Sequence, residues 1–144
     1  IYFIHSGFMR LFYTDTSGAE QTTFLCAPNS FIAPFSAFIN RTKSMENVET
    51  ITNCDLLQLT HANALKLVEK SELFRNFFVT IFEKSMSLAL IRANDLAFLH
   101  AEQRYQKILE QQPHYIQNIP LVYIASYLGI KPQSLSRIRK QIIK

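Results

Sequence analysis

In the first sixty residues, short runs of apolar and β-branched residues alternate with turn residues. The runs at 1–4, 8–13, 21–25, 48–51 and 56–59 predict strands, because such residues fit a pleated, half-buried surface. The segment 15–18 predicts a hairpin turn, Pro28-Asn29 predicts a second turn, and Pro34 begins a short helical turn over 34–39. Short strands at this spacing are typical of a barrel or a sandwich.

From Thr60 onward the apolar spacing becomes helical. Thr60 or Asn63 can cap a helix that runs through Val68, and a second, long helix without Gly or Pro follows from about 72 to 99. One apolar face of the long helix recurs at spacings of three and four, as in a coiled-coil seam, and comprises Val79, Phe82, Met86, Ala89, Ala93 and Leu96. A second apolar face comprises Phe74, Phe77, Phe78, Ile81 and Leu88.

A helix that is apolar on two sides needs two partners. We expect one face to pack on the β-region and the other on a second copy of the chain, so the seam is the predicted dimer interface. The alternative is a single helix buried within one domain. A further helix is predicted at 101–111, with Tyr105, Ile108 and Leu109 inward, and Gln112-Pro113 ends it. His100, just before it, is a helix-start residue or, alternatively, a pH switch.

Composition narrows the possible classes of protein. The chain has 144 residues, of which 48% are hydrophobic and only 18% charged, which favours a folded core over disorder. No apolar run approaches the roughly 18 residues that a membrane helix requires, and no signal peptide is visible. Ile1 lies within a predicted strand, so we expect an N-terminal piece of the protein to be missing. Cys26 and Cys54 are expected to be buried thiols in a reducing cytoplasm.

Candidate catalytic and metal chemistry is sparse. The four histidines show no ligand spacing, no four-cysteine set exists, and no paired carboxylates or nucleophile–base set stands out. The sequence therefore predicts neither an enzyme nor a metal or cofactor.

Positive charge is concentrated at the C-terminal end. Residues 1–100 carry 8 Lys/Arg and 9 Asp/Glu, whereas residues 101–144 carry 7 Lys/Arg and 2 Asp/Glu. The last fourteen residues hold no acid and five cations, namely Lys131, Arg137, Arg139, Lys140 and Lys144. A basic end on a near-neutral body indicates a polyanionic partner, and a solvated basic tail is the alternative.

The segment 121–140 has the spacing of a helix-turn-helix. Ala125 supplies a small side chain where two helices cross, and Gly129 tolerates the positive φ of the turn. Pro132 takes the first position of the second helix. The shared core is predicted to comprise Ile124, Leu128, Ile130, Leu135 and Ile138. The alternative is an ordinary helical hairpin with a basic surface.

The second helix then presents a polar set suited to a DNA major groove. Gln133 and Arg137, four residues apart on one face, are the predicted base readers, because Gln matches adenine and Arg matches guanine. Ser134, Arg139 and Lys140 are the predicted phosphate contacts, and Ser136 completes the DNA-binding set.

With these parts in this order, the chain resembles the Crp/Fnr superfamily of bacterial transcription regulators. The resemblance rests on Gly7 after a first strand, the Gly18 hairpin, Phe31-Ile32, the long helix, the segment 96–99 with Arg104-Tyr105, and the helix-turn-helix. The phrase IASYLGIKPQSLSRIRK is similar to members from Bacteroidetes.

The resemblance implies an α+β fold with three parts. An antiparallel, jelly-roll-like β-roll occupies 1–61 and is incomplete at its N-terminus. Connecting helices, including the dimerisation helix, occupy 62–100, and a C-terminal winged helix-turn-helix domain occupies 101–144. The implied partners are a two-fold site in double-stranded DNA and a second copy of the chain, with RNA polymerase as a candidate. The implied location is the cytoplasm.

The effector site departs from the family pattern. Cyclic-AMP-binding members carry F-G-E-L followed by R-S-A, whereas Pro34 here replaces the Glu and Ser44 the Arg, and Glu46 adds a negative charge. Ala89 and Leu90 stand where adenine would meet two hydroxyls. The degenerate pocket comprises Ala33, Pro34, Phe35, Ser44, Met45, Ala89 and Leu90. We expect no useful cyclic AMP binding unless the loop register shifts and Arg41 or Lys43 serves instead.

The effector, if one exists, is unknown. The aromatic interior at Phe24, Phe31, Phe35 and Phe38 either is packed solid, which we expect, or holds an apolar ligand. The predicted function is that of a sequence-specific transcription regulator acting as a homodimer. The alternative is a ligand-sensing or protein-interaction module with a vestigial helix-turn-helix.

Overall fold

A computed structural model describes residues 1–142. Its N-terminal part contains two three-stranded antiparallel sheets, with strand orders β4-β1-β6 and β3-β2-β5. The strands are β1 (Tyr2–Ser6), β2 (Met9–Thr14), β3 (Glu20–Cys26), β4 (Ser30–Ile32), β5 (Asn47–Thr50) and β6 (Asp55–Gln58). The predicted strands and the hairpin between β2 and β3 are confirmed.

Two local features account for the strand boundaries. Gly7 joins β1 to β2 at φ +88°, and a Cβ there would lie 2.3 Å from the carbonyl oxygen of Asn53, so only glycine fits this turn. Strand β4 was not predicted, because its three residues are too short to show a period. It forms only because it pairs with β1, placing Phe31 opposite Phe3.

Seven helices lie within the described residues. They are α1 (Phe35–Asn40), α2 (His61–Lys70), α3 (Glu72–Phe98), α4 (Ala101–Gln111), α5 (Pro113–Asn118), α6 (Leu121–Leu128) and α7 (Pro132–Ile142). Thr60 caps α2 through its hydroxyl, and His100 precedes α4, where its backbone N–H donates to Gln103. Helix α5 was missed, because Pro113 marks the end of α4 and also starts a new helix at its first position.

The helical part and the sheets share a hydrophobic core. Phe8 and Leu25 of the β-region belong to the same buried cluster as residues of α4, α6 and α7, including Tyr105, Ile124 and Leu135. Two further clusters lie between the sheets and where α2 and α3 meet the β-region. The β-region therefore touches both the long helix and the C-terminal helices. Within residues 1–142, no helix has the length and apolar character needed to cross a membrane.

Candidate nucleic-acid interface and effector cavity

Helices α6 and α7 form a pair joined by a tight turn. Gly129 adopts the left-handed conformation at φ +70°, and its N–H donates back to the carbonyls at the end of α6. Ile124, Ala125, Leu128 and Leu135 are at most 1% exposed, so the predicted shared core is present. Ile130 and Ile138 pack against it partly buried. No strand follows α7 within the described residues, and the winged helix-turn-helix stays a prediction.

The predicted DNA-binding residues of α7 fall into two groups. Gln133, Ser136, Arg137 and Lys140 are exposed, and Gln133 and Arg137 lie about one helical turn apart. No residue of α7 is acidic, and Lys144 lies outside the described residues. An exposed polar and basic helix face over a buried apolar one is the arrangement that groove binding requires.

The other two predicted contacts, Ser134 and Arg139, are half-buried. The Nε of Arg139 is buried without a hydrogen-bond partner in the described part of the chain. The Ser136 hydroxyl donates to the Pro132 carbonyl at 3.0 Å, an intrahelical bond that leaves the oxygen free to accept.

Helix α6 is fixed to strand β3 by a polar contact, which we call the β3–α6 seam (residues 20–22 and Ser126). The Thr22 N–H donates to the Ser126 hydroxyl at 2.8 Å, and that hydroxyl donates to the Glu20 carbonyl at 2.9 Å. The Gln21 amide also donates to the Ser126 carbonyl. Next to this seam, the hydroxyl of Tyr115 on α5 donates to the Leu25 carbonyl of β3 at 2.8 Å. The sequence gives no local sign of this contact.

Arg10 lies beneath the seam and is 2% exposed. Its guanidinium forms ion pairs at 2.5 Å with Glu20 and with Glu49. Its Cζ also lies 3.8 Å from the ring centroid of Tyr123 on α6. Arg10 therefore connects two neighbouring strands to the helix pair, and the charge pairs explain how an arginine is tolerated there.

The outer face of α3 lacks packing partners among the described residues. Ten of the sixteen large apolar side chains that are exposed in the described residues belong to this single helix. Five of the six predicted dimer residues are exposed, namely Val79, Met86, Ala89, Ala93 and Leu96. Phe82 differs, because it is half-buried with its ring 5.4 Å from that of Phe35.

The second apolar face of α3 packs on the rest of the protein only in the N-terminal half of the helix. Phe78 and Ile81 are 7% exposed, and Phe77 stacks edge-on against Phe31 while remaining 44% exposed. Leu88, expected on the β-region, is 58% exposed and lines a cavity instead.

A cavity of about 800 Å³ lies between the β-region, α3 and the C-terminal helices. The expected solid packing is met only in part, because Phe38 packs against His61, whereas Phe24, Phe31 and Phe35 pack on apolar neighbours on one side and line this cavity on the other. At this end α3 contacts α4 and α6, because the Lys107 ammonium donates to the Asp95 carboxylate and Arg92 donates to the Tyr127 carbonyl.

The predicted pocket residues are only partly brought together. Ala33, Phe35 and Ala89 line the cavity, whereas Pro34, Ser44, Met45 and Leu90 do not, and Met45 and Leu90 are 79% and 60% exposed. Glu46 also lines it and accepts a hydrogen bond from Thr23 at 3.0 Å. Arg41 and Lys43 are exposed and are not among the lining residues.

Two arginines at the helical end of the cavity were missed. Arg92 is 9% exposed, donates to the Tyr127 carbonyl and lies 3.8 Å from that residue's ring centroid. Arg104 donates to the carbonyls of Leu99 and of Leu128, the latter at 2.8 Å. Burial lowers the pKa of Arg92; Tyr127 opposes this and the nearby charge of Arg104 adds to it. A charged residue inside an otherwise apolar helix face was the available signal.

The cysteines remain free and half-buried, and burial raises the pKa of the Cys26 thiol to about 12. No group of three metal-ligating side chains occurs within residues 1–142.

Comparison with known proteins supports the N-terminal assignment. Residues 1–71 match the family model of the cyclic nucleotide-binding domain. A search of curated proteins gives no match to this sequence.

Solved structures extend the likeness to nearly the whole chain. FixK2 from Bradyrhizobium japonicum is 14% identical with a TM-score of 0.80, over 98% of this chain and 73% of that one. The c-di-GMP-responsive regulator CLP of Xanthomonas campestris is 18% identical, TM-score 0.73, covering 98% and 75%. A CRP/FNR-family transcriptional regulator of Thermus thermophilus is 17% identical, TM-score 0.71, covering 99% and 74%. The likeness to solved structures confirms the fold that the Crp/Fnr resemblance implied; CLP is a global regulator and the Thermus protein a transcriptional regulator.

Proposed function

We propose that this chain is a sequence-specific transcription regulator that binds a two-fold DNA site as a homodimer. The observation that carries the proposal is the acid-free, exposed face of α7 above the tightly buried α6–α7 core. A rigid pair of helices presents that face at a fixed orientation, which groove reading requires. The Crp/Fnr fold of the chain adds support, because the similar structures are regulators.

In the proposed complex, Gln133 and Arg137 read base edges. Both side chains are exposed and project from one face of α7. An arginine can donate two hydrogen bonds to guanine, and a glutamine can pair similarly with adenine. Ser136, one residue before Arg137, keeps an acceptor and contributes at the edge of this contact.

Lys140, Ser134 and Arg139 are the proposed phosphate contacts. Lys140 is exposed, and Ser134 and Arg139 are half-buried beside it on the same helix. Each neutralised phosphate releases counterions, so affinity should fall steeply as salt rises.

The homodimer is proposed to form through the α3 seam. A second copy could cover the exposed seam residues with its own, which would remove apolar surface from water. These residues are Val79, Met86, Ala89, Ala93 and Leu96. Two copies would then present two α7 helices to two half-sites. RNA polymerase is a candidate further partner, the cytoplasm the proposed location, and no catalytic activity is proposed.

The proposed regulator does not respond to cyclic AMP. The β-region offers the cavity a glutamate, Glu46, but no lining arginine or lysine to pair with a buried cyclic phosphate. A sub-millimolar Kd for cyclic AMP in calorimetry would contradict this.

The test is fluorescence anisotropy of the intact protein on a labelled duplex from upstream of its own gene, with random duplex as competitor. Arg137→Ala should lose about 1–3 kcal/mol of binding free energy for the specific duplex and should discriminate less between bases at one position of the site. Arg75→Ala removes another exposed charge, from α3, and serves as control. If Arg137→Ala binds specific and random duplexes as the wild type does, Arg137 is not a base reader.

The second candidate is a ligand-sensing module whose helix pair no longer binds DNA, which the large cavity favours. Such a protein would pass through a heparin column, whereas the proposed regulator would be retained and released only by salt.

A further inference from the structure

The cavity has an apolar body and one positively charged end. Its walls include Phe24, Ile32 and Phe35 from the β-region and Ala89 from α3. Its cations cluster where α3, α4 and α6 meet, and they are Arg92, Arg104 and Lys107. Ligand pockets with mostly apolar walls and a few convergent polar groups bind small organic molecules, and about 800 Å³ lies within their usual range.

The charge at this end is only partly balanced within the described chain. The Lys107 ammonium is paired with Asp95, with Nζ and Oδ2 2.7 Å apart. Within residues 1–142, neither Arg92 nor Arg104 has a carboxylate within ion-pair distance, and both donate to backbone carbonyls instead. The Nε atoms of both arginines are buried and have no hydrogen-bond partner in the described residues. Each guanidinium therefore keeps an unused Nε donor, and the one carboxylate near Arg92, that of Asp95, is shared with Lys107.

The chemistry of these groups selects the ligand. Guanidinium groups match a carboxylate in charge and planar geometry, and a buried cation without a counter-ion is energetically unfavourable. Glu46, also on the cavity lining, repels a second negative charge. A molecule with one acidic group and an apolar remainder fits both conditions, whereas a polyanion such as a nucleoside diphosphate or triphosphate does not.

We propose that the cavity binds an amphipathic monoanion, with its carboxylate held by Arg92 and Arg104 and its apolar part among Phe24, Ile32 and Phe35. This site goes beyond the proposed function, because ligand binding is measured without DNA and does not require it. The same arginines hold the carbonyls of Tyr127 and Leu128 at the end of α6. A bound carboxylate would compete for their donors and so alter the link between α3 and the helix pair.

The test is isothermal titration calorimetry of the intact protein with decanoate, decanol and decylamine as probes, below their micelle concentrations. Decanoate should bind most tightly, decanol at least about tenfold more weakly and decylamine weakest, since only the anion uses the guanidiniums. This series uses wild-type protein, so it decides the question even if an arginine variant fails to fold.

Variants then locate the anchor. Arg92→Gln and Arg104→Gln should each weaken decanoate by about tenfold or more while leaving decanol unchanged, and Arg75→Gln on the exposed side of α3 should change neither. The proposal is overturned if decanoate does not bind at millimolar concentration, if decanol binds as tightly, or if folded Arg92→Gln and Arg104→Gln bind decanoate like the wild type. None of these outcomes bears on DNA binding.

Discussion

Two surfaces of this molecule differ in whether their side chains have partners within the described chain. They are the outer face of α3 and the β3–α6 seam. In the β3–α6 seam the Ser126 hydroxyl both accepts from the Thr22 N–H and donates to the Glu20 carbonyl, with Arg10 buried beneath. The outer face of α3 instead exposes large apolar side chains such as Met86 at 68% and Phe98 at 80%.

The difference separates a surface that belongs to the fold from one that we propose belongs to an assembly. A satisfied polar contact keeps the helix pair on its own β-region, and it would fix the direction in which α7 points. An extended apolar face without partners is unusual on a monomeric protein. Its predicted seam has the spacing at which two helices pack.

The largest expected effect comes from placing a charge in the α3 seam. Val79→Glu should weaken the proposed dimer by about a hundredfold or more, because two-fold symmetry brings the two carboxylates into one apolar interface. Sedimentation velocity over a protein dilution series measures this. Leu73→Glu, in the same helix but outside both apolar sets and 77% exposed, is the control and should leave association unchanged. Equal sedimentation of wild type and Val79→Glu would place the interface elsewhere.

At the β3–α6 seam, Arg10→Ala should cause the largest loss of stability. It removes two ion pairs at 2.5 Å and the contact with Tyr123, and we expect a loss of about 3 kcal/mol in the free energy of unfolding. The two glutamates are about 40% exposed, which keeps the loss at the low end for a buried pair. Urea denaturation at one fixed protein concentration measures it, with Arg75→Ala as control. A loss below about 1 kcal/mol would mean that Arg10 does not support the seam.

Ser126→Ala should have an intermediate effect. The Thr22 N–H belongs to a residue that is 0% exposed, so losing its acceptor leaves a buried donor unsatisfied, at a cost of about 1–3 kcal/mol. Ser136→Ala removes an exposed hydroxyl with one intrahelical bond and should stay within about 0.5 kcal/mol of the wild type. Indistinguishable unfolding curves for the two variants would argue against the seam.

The smallest effect is expected at the turn between α6 and α7. Gly129→Ala has room for its Cβ, whose nearest neighbour is 3.7 Å away, so it should lose only about 1–2 kcal/mol for the left-handed backbone. Gly129→Asn should lose less, because asparagine tolerates that conformation better. Thermal unfolding of both variants checks the order, and a larger loss for Asn would mean that conformational strain is not the cause.

Sequence reasoning succeeded where the signal is local. Each of the successful predictions depends on residues close together in the sequence. They are the apolar spacing of α3, the cap at Thr60, and the small residue, glycine and proline of the segment 121–132. The exposed positions of Gln133 and Arg137 follow from the same period.

Long-range contacts could not be predicted. Ser126 meets β3 more than a hundred residues away along the chain, and Arg92 meets Tyr127 beyond α4 and α5, so no short window of sequence contains both partners. The cavity was missed for a similar reason. The aromatic residues indicate an apolar surface, but the sequence does not tell whether the elements that carry them pack in contact or leave a space between them.

The most direct test of the central claim is selection of duplexes from a random-sequence pool by the intact protein, followed by sequencing. A homodimer that reads DNA through α7 should enrich an inverted repeat whose half-sites lie about one helical turn apart, or a multiple of it. Enrichment of an unpaired site, or a pool that stays random after repeated rounds, would contradict the account.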